Sequence, residues 1–94
     1  MRSSELTVIN QLGLHARAAA QVVRLAGEFE SSIMLIREDK SIFADAKSIL
    51  SVLTLAASKG VVLRLEVEGA DEAEAFEAMS ALFSDGFGEI PARH

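Results

Sequence analysis

The sequence predicts an α+β open-faced sandwich: a four-stranded, mostly antiparallel sheet with three helices on one face, in the order βαββαβα. Three observations carry this. Val61, Leu63, Leu65 and Val67 alternate strictly with Val62, Arg64, Glu66 and Glu68, which marks a strand with one buried face, at or near the middle of the sheet. Ala19, Val22, Val23 and Ala26 recur at i, i+3, i+4 and i+7, the period of a helix with one apolar stripe. Residues 32–44 hold two strand-like runs around the polar Glu38-Asp39-Lys40, the pattern of a hairpin.

The elements follow in chain order. Leu6-Thr7-Val8-Ile9, rich in β-branched residues, is a short first strand. Asn10-Gln11-Leu12-Gly13 is a loop, and Gly13 permits a tight bend. An alanine-rich helix then runs to Glu28 or Phe29, burying Ala19, Val22, Val23 and Ala26 and turning Gln21, Arg24 and Glu28 to water. Ser32 to Arg37 and Ser41 to Ala44 form the hairpin, with Ile33 and Leu35 on one face and Met34 and Ile36 on the other. Asp45 and Lys47 are solvated connector charges ahead of a second helix from Ser48 to Ala57, with Gly60 placed as its C-cap. Asp71 reads as the N-cap of a third helix, whose buried stripe is Ala75, Phe76, Met79, Leu82 and Phe83. Residues 1–94 are one domain, folded over about 5–88, and 89–94, with Pro91 and a His94 given no role, read as a loose tail.

The second helix is unusual in being apolar nearly all round. Ser51, Thr54 and Ser58 fall in a narrow polar strip, and apolar residues occupy almost all the rest. With Val52, Leu55 and Ala56 towards the core, Ile49, Leu50 and Leu53 project on the other flank, either under a neighbouring element or as an exposed patch.

Composition narrows the function. Half of the 94 residues are apolar, which suits a modest packed core. Without cysteine there is no disulfide, thiol chemistry or cysteine metal site, and the two histidines lie too far apart in sequence to anticipate a metal, so no cofactor is expected. A net charge of −5 speaks against nucleic acid. No apolar run is long enough to span a bilayer, and Met1-Arg2-Ser3-Ser4-Glu5 lacks a signal peptide's apolar core, so the expected location is the cytoplasm, with no membrane association.

The most informative stretch is Gly13-Leu14-His15-Ala16-Arg17-Ala18-Ala19-Ala20. It places His15 at the start of the first helix, where unpaired N–H groups and the helix dipole favour an anion. Arg17 adds a planar, fixed positive charge suited to phosphate. A nucleophile, an anion cradle and a charge clamp therefore fall within one turn.

Gly13-Leu14-His15-Ala16-Arg17 with its alanines resembles the active-site signature of the histidine phosphocarrier (HPr) family of the phosphoenolpyruvate-dependent phosphotransferase system. Ala46-Lys47-Ser48-Ile49 through Thr54-Leu55 is similar to the family's second motif, and Gly69-Ala70-Asp71-Glu72 with Ala75 to its lead-in to the last helix. The resemblance implies an HPr-like sheet of four strands with three helices on one side. It implies a cytoplasmic phosphoprotein of sugar transport: a carrier, not a stand-alone enzyme, that accepts a phosphoryl group from enzyme I on the pros nitrogen of His15. The phosphohistidine passes it to IIA domains of sugar permeases, with Arg17 as phosphate clamp. Ile49, Leu50 and Leu53 match the family's docking patch, Arg24 a partner-facing basic position, and Ser48 the serine modified by the HPr kinase/phosphorylase. Ser48 also suits an N-cap. A monomer is expected.

The chain departs from the family at Ala18, where proline is usual; alanine restores an N–H and loosens the backbone. Gly27 and Ser51 stand where some members carry lysine. Two other readings stay open: a nitrogen-branch regulatory carrier, which the Phe83 to Glu89 ending resembles, and a docking module controlled by serine phosphorylation. A hydrolase is weakest, since no nucleophile–base–orienter set is present.

Overall fold

The computed structural model describes residues 1–89. The tail expected at 89–94 therefore lies outside the described residues except for Glu89, which is held in a turn. Four strands, β1 (Arg2–Thr7), β2 (Ser32–Arg37), β3 (Ile42–Asp45) and β4 (Val62–Glu68), form one sheet in the order β1-β4-β2-β3. All three pairings are antiparallel. The alternating β4 is central, as its pattern requires: Leu63, Leu65 and Val67 are fully buried beneath the helices. Each such side chain contributes roughly 1.5–3 kcal/mol of burial. Helices α1 (Ala16–Ala26), α2 (Ile49–Leu53) and α3 (Glu72–Ser84) cover that face.

β1 starts at Arg2, earlier than the β-branched run suggests, and ends at Thr7. It is an edge strand held by main-chain pairing from Arg2↔Val67 to Thr7↔Val62, and polar residues serve there as well as apolar ones. On the outer face Ile36 is buried as well, paired with the apolar Phe43 on one side and with Arg64 on the other.

α1 buries Ala18, Ala19, Val22 and Ala26, with Val23 half-buried, and stops at Ala26. Glu28 and Phe29 belong to turn bonds instead, and Lys47 Nζ donates to the Phe29 carbonyl at 2.8 Å, so Lys47 is a clasp and not a free connector charge.

α2 is half the expected length, five residues. Its continuation is drawn away. Arg37 Nη1 donates to the Leu55 and Ala56 carbonyls at 3.0 Å each, Ala56 turns to φ +46°, and the Ala57 carbonyl accepts the Leu14 N–H at 2.8 Å. Val52 and Leu55 face the core as expected, but Ala56 is exposed and Ala57 takes the buried place. Gly60 consequently does not cap α2; it sits in the turn into β4, donating to the Val8 carbonyl at 2.7 Å.

Asp71 precedes α3 but its side chain does not cap it. The carboxylate reaches across to the β2 lead-in and accepts the Glu30 and Ser31 N–H groups at 2.9 Å each and the Ser31 hydroxyl at 2.5 Å. Gly69 (φ +151°) lets the two segments meet, since a Cβ there would lie 2.6 Å from Ser31 Oγ. Ala75, Met79 and Phe83 are the buried stripe of α3, with Phe76 and Leu82 half-buried beside it.

Candidate functional site

The site is built on a bend. Gly13 takes φ +69° with its α-carbon against the Ala57–Ser58 backbone; a Cβ would stand 2.6 Å from the Ala57 oxygen. The next residue, Leu14, is buried and donates to that same oxygen. The chain then enters α1, with His15 as its N-cap.

The imidazole caps the helix with a ring nitrogen. Nδ1 accepts the Arg17 N–H at 3.2 Å. An accepting Nδ1 carries a lone pair and no proton, which places the hydrogen of the neutral ring on Nε2. Nε2 faces Glu89 Oε2 at 2.5 Å. The other carboxylate oxygen, Oε1, accepts from Asn10 Nδ2 at 2.9 Å, and the same amide donates to the Gly13 carbonyl at 2.9 Å. Both partners of Nδ2 are acceptors, which determines the orientation of the buried Asn10 amide. The Asn10 hydrogen bond, then that of His15, and the charge of Arg17 hold the Glu89 carboxyl below the ordinary carboxylate range, against desolvation that works the other way.

Glu89 is delivered by the C-terminal turn. After α3, a one-turn helix at Gly86–Gly88 carries Phe87 inward at φ +59°. Phe87 is buried and meets Phe83 edge-on, ring centres 4.9 Å apart, while its carbonyl accepts from Gln21 of α1 at 3.2 Å. Glu89, two residues on, then reaches the His15 ring. An open cleft of about 370 Å³ lies alongside, lined by Gln11, Leu12, Arg17, Gly88 and Glu89.

The other sequence-singled residues sit elsewhere. Arg24 is exposed in the last turn of α1. Seven residues after Arg17, it lies two turns along nearly the same helix face. Ser48 is the N-cap of α2: its hydroxyl accepts the Ser51 N–H at a long 3.4 Å, while Ser51 Oγ accepts the Asp45 N–H at 2.9 Å. Ile49 (40% exposed), Leu50 (74%) and Leu53 (36%) open to solvent beside the packed α1–α2 pair. Glu89 and Asn10 are the site residues that sequence reasoning passed over. Their signals are weak: one acid past a Gly-Phe-Gly turn and one asparagine three residues before Gly13.

Among the described residues no group of three metal-ligating side chains is assembled, and no helix is long and apolar enough to cross a membrane.

Residues 2–85 match the family model described as the PTS HPr component phosphorylation site. The chain belongs to the HPr phosphocarrier family. Phosphocarrier protein HPr of Cupriavidus necator is 46% identical over 89 residues, covering 95% of this chain and 98% of that protein. The crystal structure of HPr-C-His from Thermoanaerobacter tengcongensis superposes with a TM-score of 0.89 at 38% identity, covering 97% of this chain and all (100%) of the other. The HPr dimer from the same organism superposes at 0.74, again at 38% identity, with coverage of 95% and 100%. The open sandwich is thus the HPr fold, with β1-β4-β2-β3 as its sheet.

Proposed function

We propose that the chain carries a phosphoryl group on Nδ1 of His15, taken from phosphorylated enzyme I and given to IIA-type acceptors of the sugar phosphotransferase system. The observation that carries this is the division of labour on the ring: Nδ1 holds its lone pair towards the α1 N-terminus while Nε2 is engaged by Glu89. Attack by Nδ1 would bring the phosphoryl oxygens to the N–H groups that open an 11-residue helix, with the Arg17 guanidinium beside the cleft. Ala18 adds a backbone donor that the family's usual proline lacks. Positioning and charge are the whole of the catalytic equipment, as suits a carrier and not a stand-alone enzyme.

Ile49, Leu50 and Leu53 form the docking surface in this reading, and Arg24, exposed in the last turn of α1, contributes a basic contact. Ser48 is the candidate for a kinase/phosphorylase: phosphate there would set negative charge against the docking patch and weaken partners. The carrier acts in the cytoplasm and as a monomer, which light scattering at working concentration checks; a dimer would overturn that part.

The test is intact-protein mass spectrometry after incubation with enzyme I and phosphoenolpyruvate. One acid-labile phosphate is expected, and none on His15→Ala. Undiminished labelling of that variant sinks the assignment. Comparing sugar-type with nitrogen-type enzyme I identifies the branch.

A further inference from the structure

We infer that Glu89 is a positioning residue for the transfer reaction, holding the proton on Nε2 of His15 while the phosphoryl group occupies Nδ1. The inference rests on the carrier reading above and concerns how the same ring is kept ready to give the group away.

Three features support it. The carboxylate is bound at both oxygens, to Asn10 Nδ2 at 2.9 Å and to His15 Nε2 at 2.5 Å, so its direction is set. The segment carrying it is anchored by the buried Phe87 and by the Gln21 bond to α1, the helix that His15 itself caps. The carboxyl is held ionised by its donors and by Arg17. A charge-assisted bond to an ionised acceptor is about twice as strong as a neutral one.

The consequence follows from electron bookkeeping. In loading, the Nδ1 lone pair forms a bond to phosphorus as the N–P bond of the donor phosphohistidine breaks and its electron pair returns to the donor ring. The His15 ring now bears a positive charge shared with Nε2–H, opposite Glu89. In onward transfer the Nδ1–P bond breaks, its pair returns to Nδ1, and the ring departs neutral because Nε2 has kept its hydrogen. Had Nε2 lost that proton to water, the ring would have to depart as an anion, a far poorer leaving group. Glu89 therefore sustains the transferable form. Among the described residues Arg17 is the other charged side chain acting on Glu89, and Asn10 is neutral.

The experiment compares the parent chain with Glu89→Gln and Glu89→Ala. In the unphosphorylated proteins, ¹⁵N-labelled His15 should show a low-field, slowly exchanging Nε2 proton in the parent that is lost in Glu89→Ala. Onward transfer to a IIA acceptor should slow about tenfold in both variants at pH 8, the scale of one charge-assisted contact. Expressed as the variant-to-parent ratio, the deficit should close towards pH 6, where water returns the proton; a purely structural defect would not be repaired by acid. An Nε2 resonance indifferent to Glu89→Ala, or a deficit absent or constant with pH, overturns the inference and leaves the carrier reading intact. Failure of the parent to load at His15 overturns the carrier reading itself.

Discussion

Helices α1 and α2 begin alike and end differently. Each opens on a polar side chain that accepts the N–H of a residue in the first turn: His15 Nδ1 from Arg17 at 3.2 Å, and Ser48 Oγ from Ser51 at 3.4 Å. α1 then continues for 11 residues over a buried stripe, whereas α2 is spent after five. α1 also has polar and charged company at its start, with Asn10, Arg17 and Glu89 around the ring, while the α2 start is followed at once by exposed Ile49 and Leu50. A capped helix start is a common local device. What surrounds it decides whether it suits chemistry or contact.

That contrast can be broken most severely at His15. His15→Ala should abolish enzyme I-dependent labelling, while Ser48→Ala should leave it within a few-fold, both read by intact mass. Next comes the bend that joins the two regions. Gly13→Ala forces a Cβ against the Ala57 oxygen at a positive φ and should destabilise by about 2–4 kcal/mol, measured by urea unfolding. On the contact side, Leu50→Glu puts charge into the most exposed of the large apolar side chains among the described residues and should weaken enzyme I binding about tenfold or more by calorimetry, with the melting temperature unchanged.

Acid sharpens the comparison away from the site. The Ser31 hydroxyl first, and the Glu30 and Ser31 N–H groups, hold the Asp71 carboxyl below the ordinary range. A folded value below the unfolded one means stability fully present above about pH 4 and lost as pH falls through the folded value. Asp71→Asn should flatten that acid limb in pH-dependent melting while leaving labelling intact. The smallest effect is the α2 cap: Ser48→Ala should cost about 0.5 kcal/mol, the low end for a cap, because its bond is long.

Which parts were legible follows from where their causes lie. Strict alternation in residues 61–68 is a local cause, and β4 runs Val62–Glu68 at the centre of the sheet. The His15 segment was legible because a glycine bend, a cap and an alanine-rich stripe are all written within a dozen residues. The stop of α2 was not, because Arg37, distant in sequence, withdraws the carbonyls of Leu55 and Ala56. Asp71 misled for the same reason: a good N-cap residue found stronger donors at Glu30 and Ser31.

By itself, then, the sequence determined the element order, the buried stripes and the placing of His15 and Arg17 at a helix start, since periodicity, glycine geometry and capping act over a few residues. Only the tertiary structure decided that Glu89 stands 2.5 Å from the His15 ring. The two residues are 74 positions apart, and what joins them is the packing of Phe87 and the reach of Asn10, which no local pattern encodes.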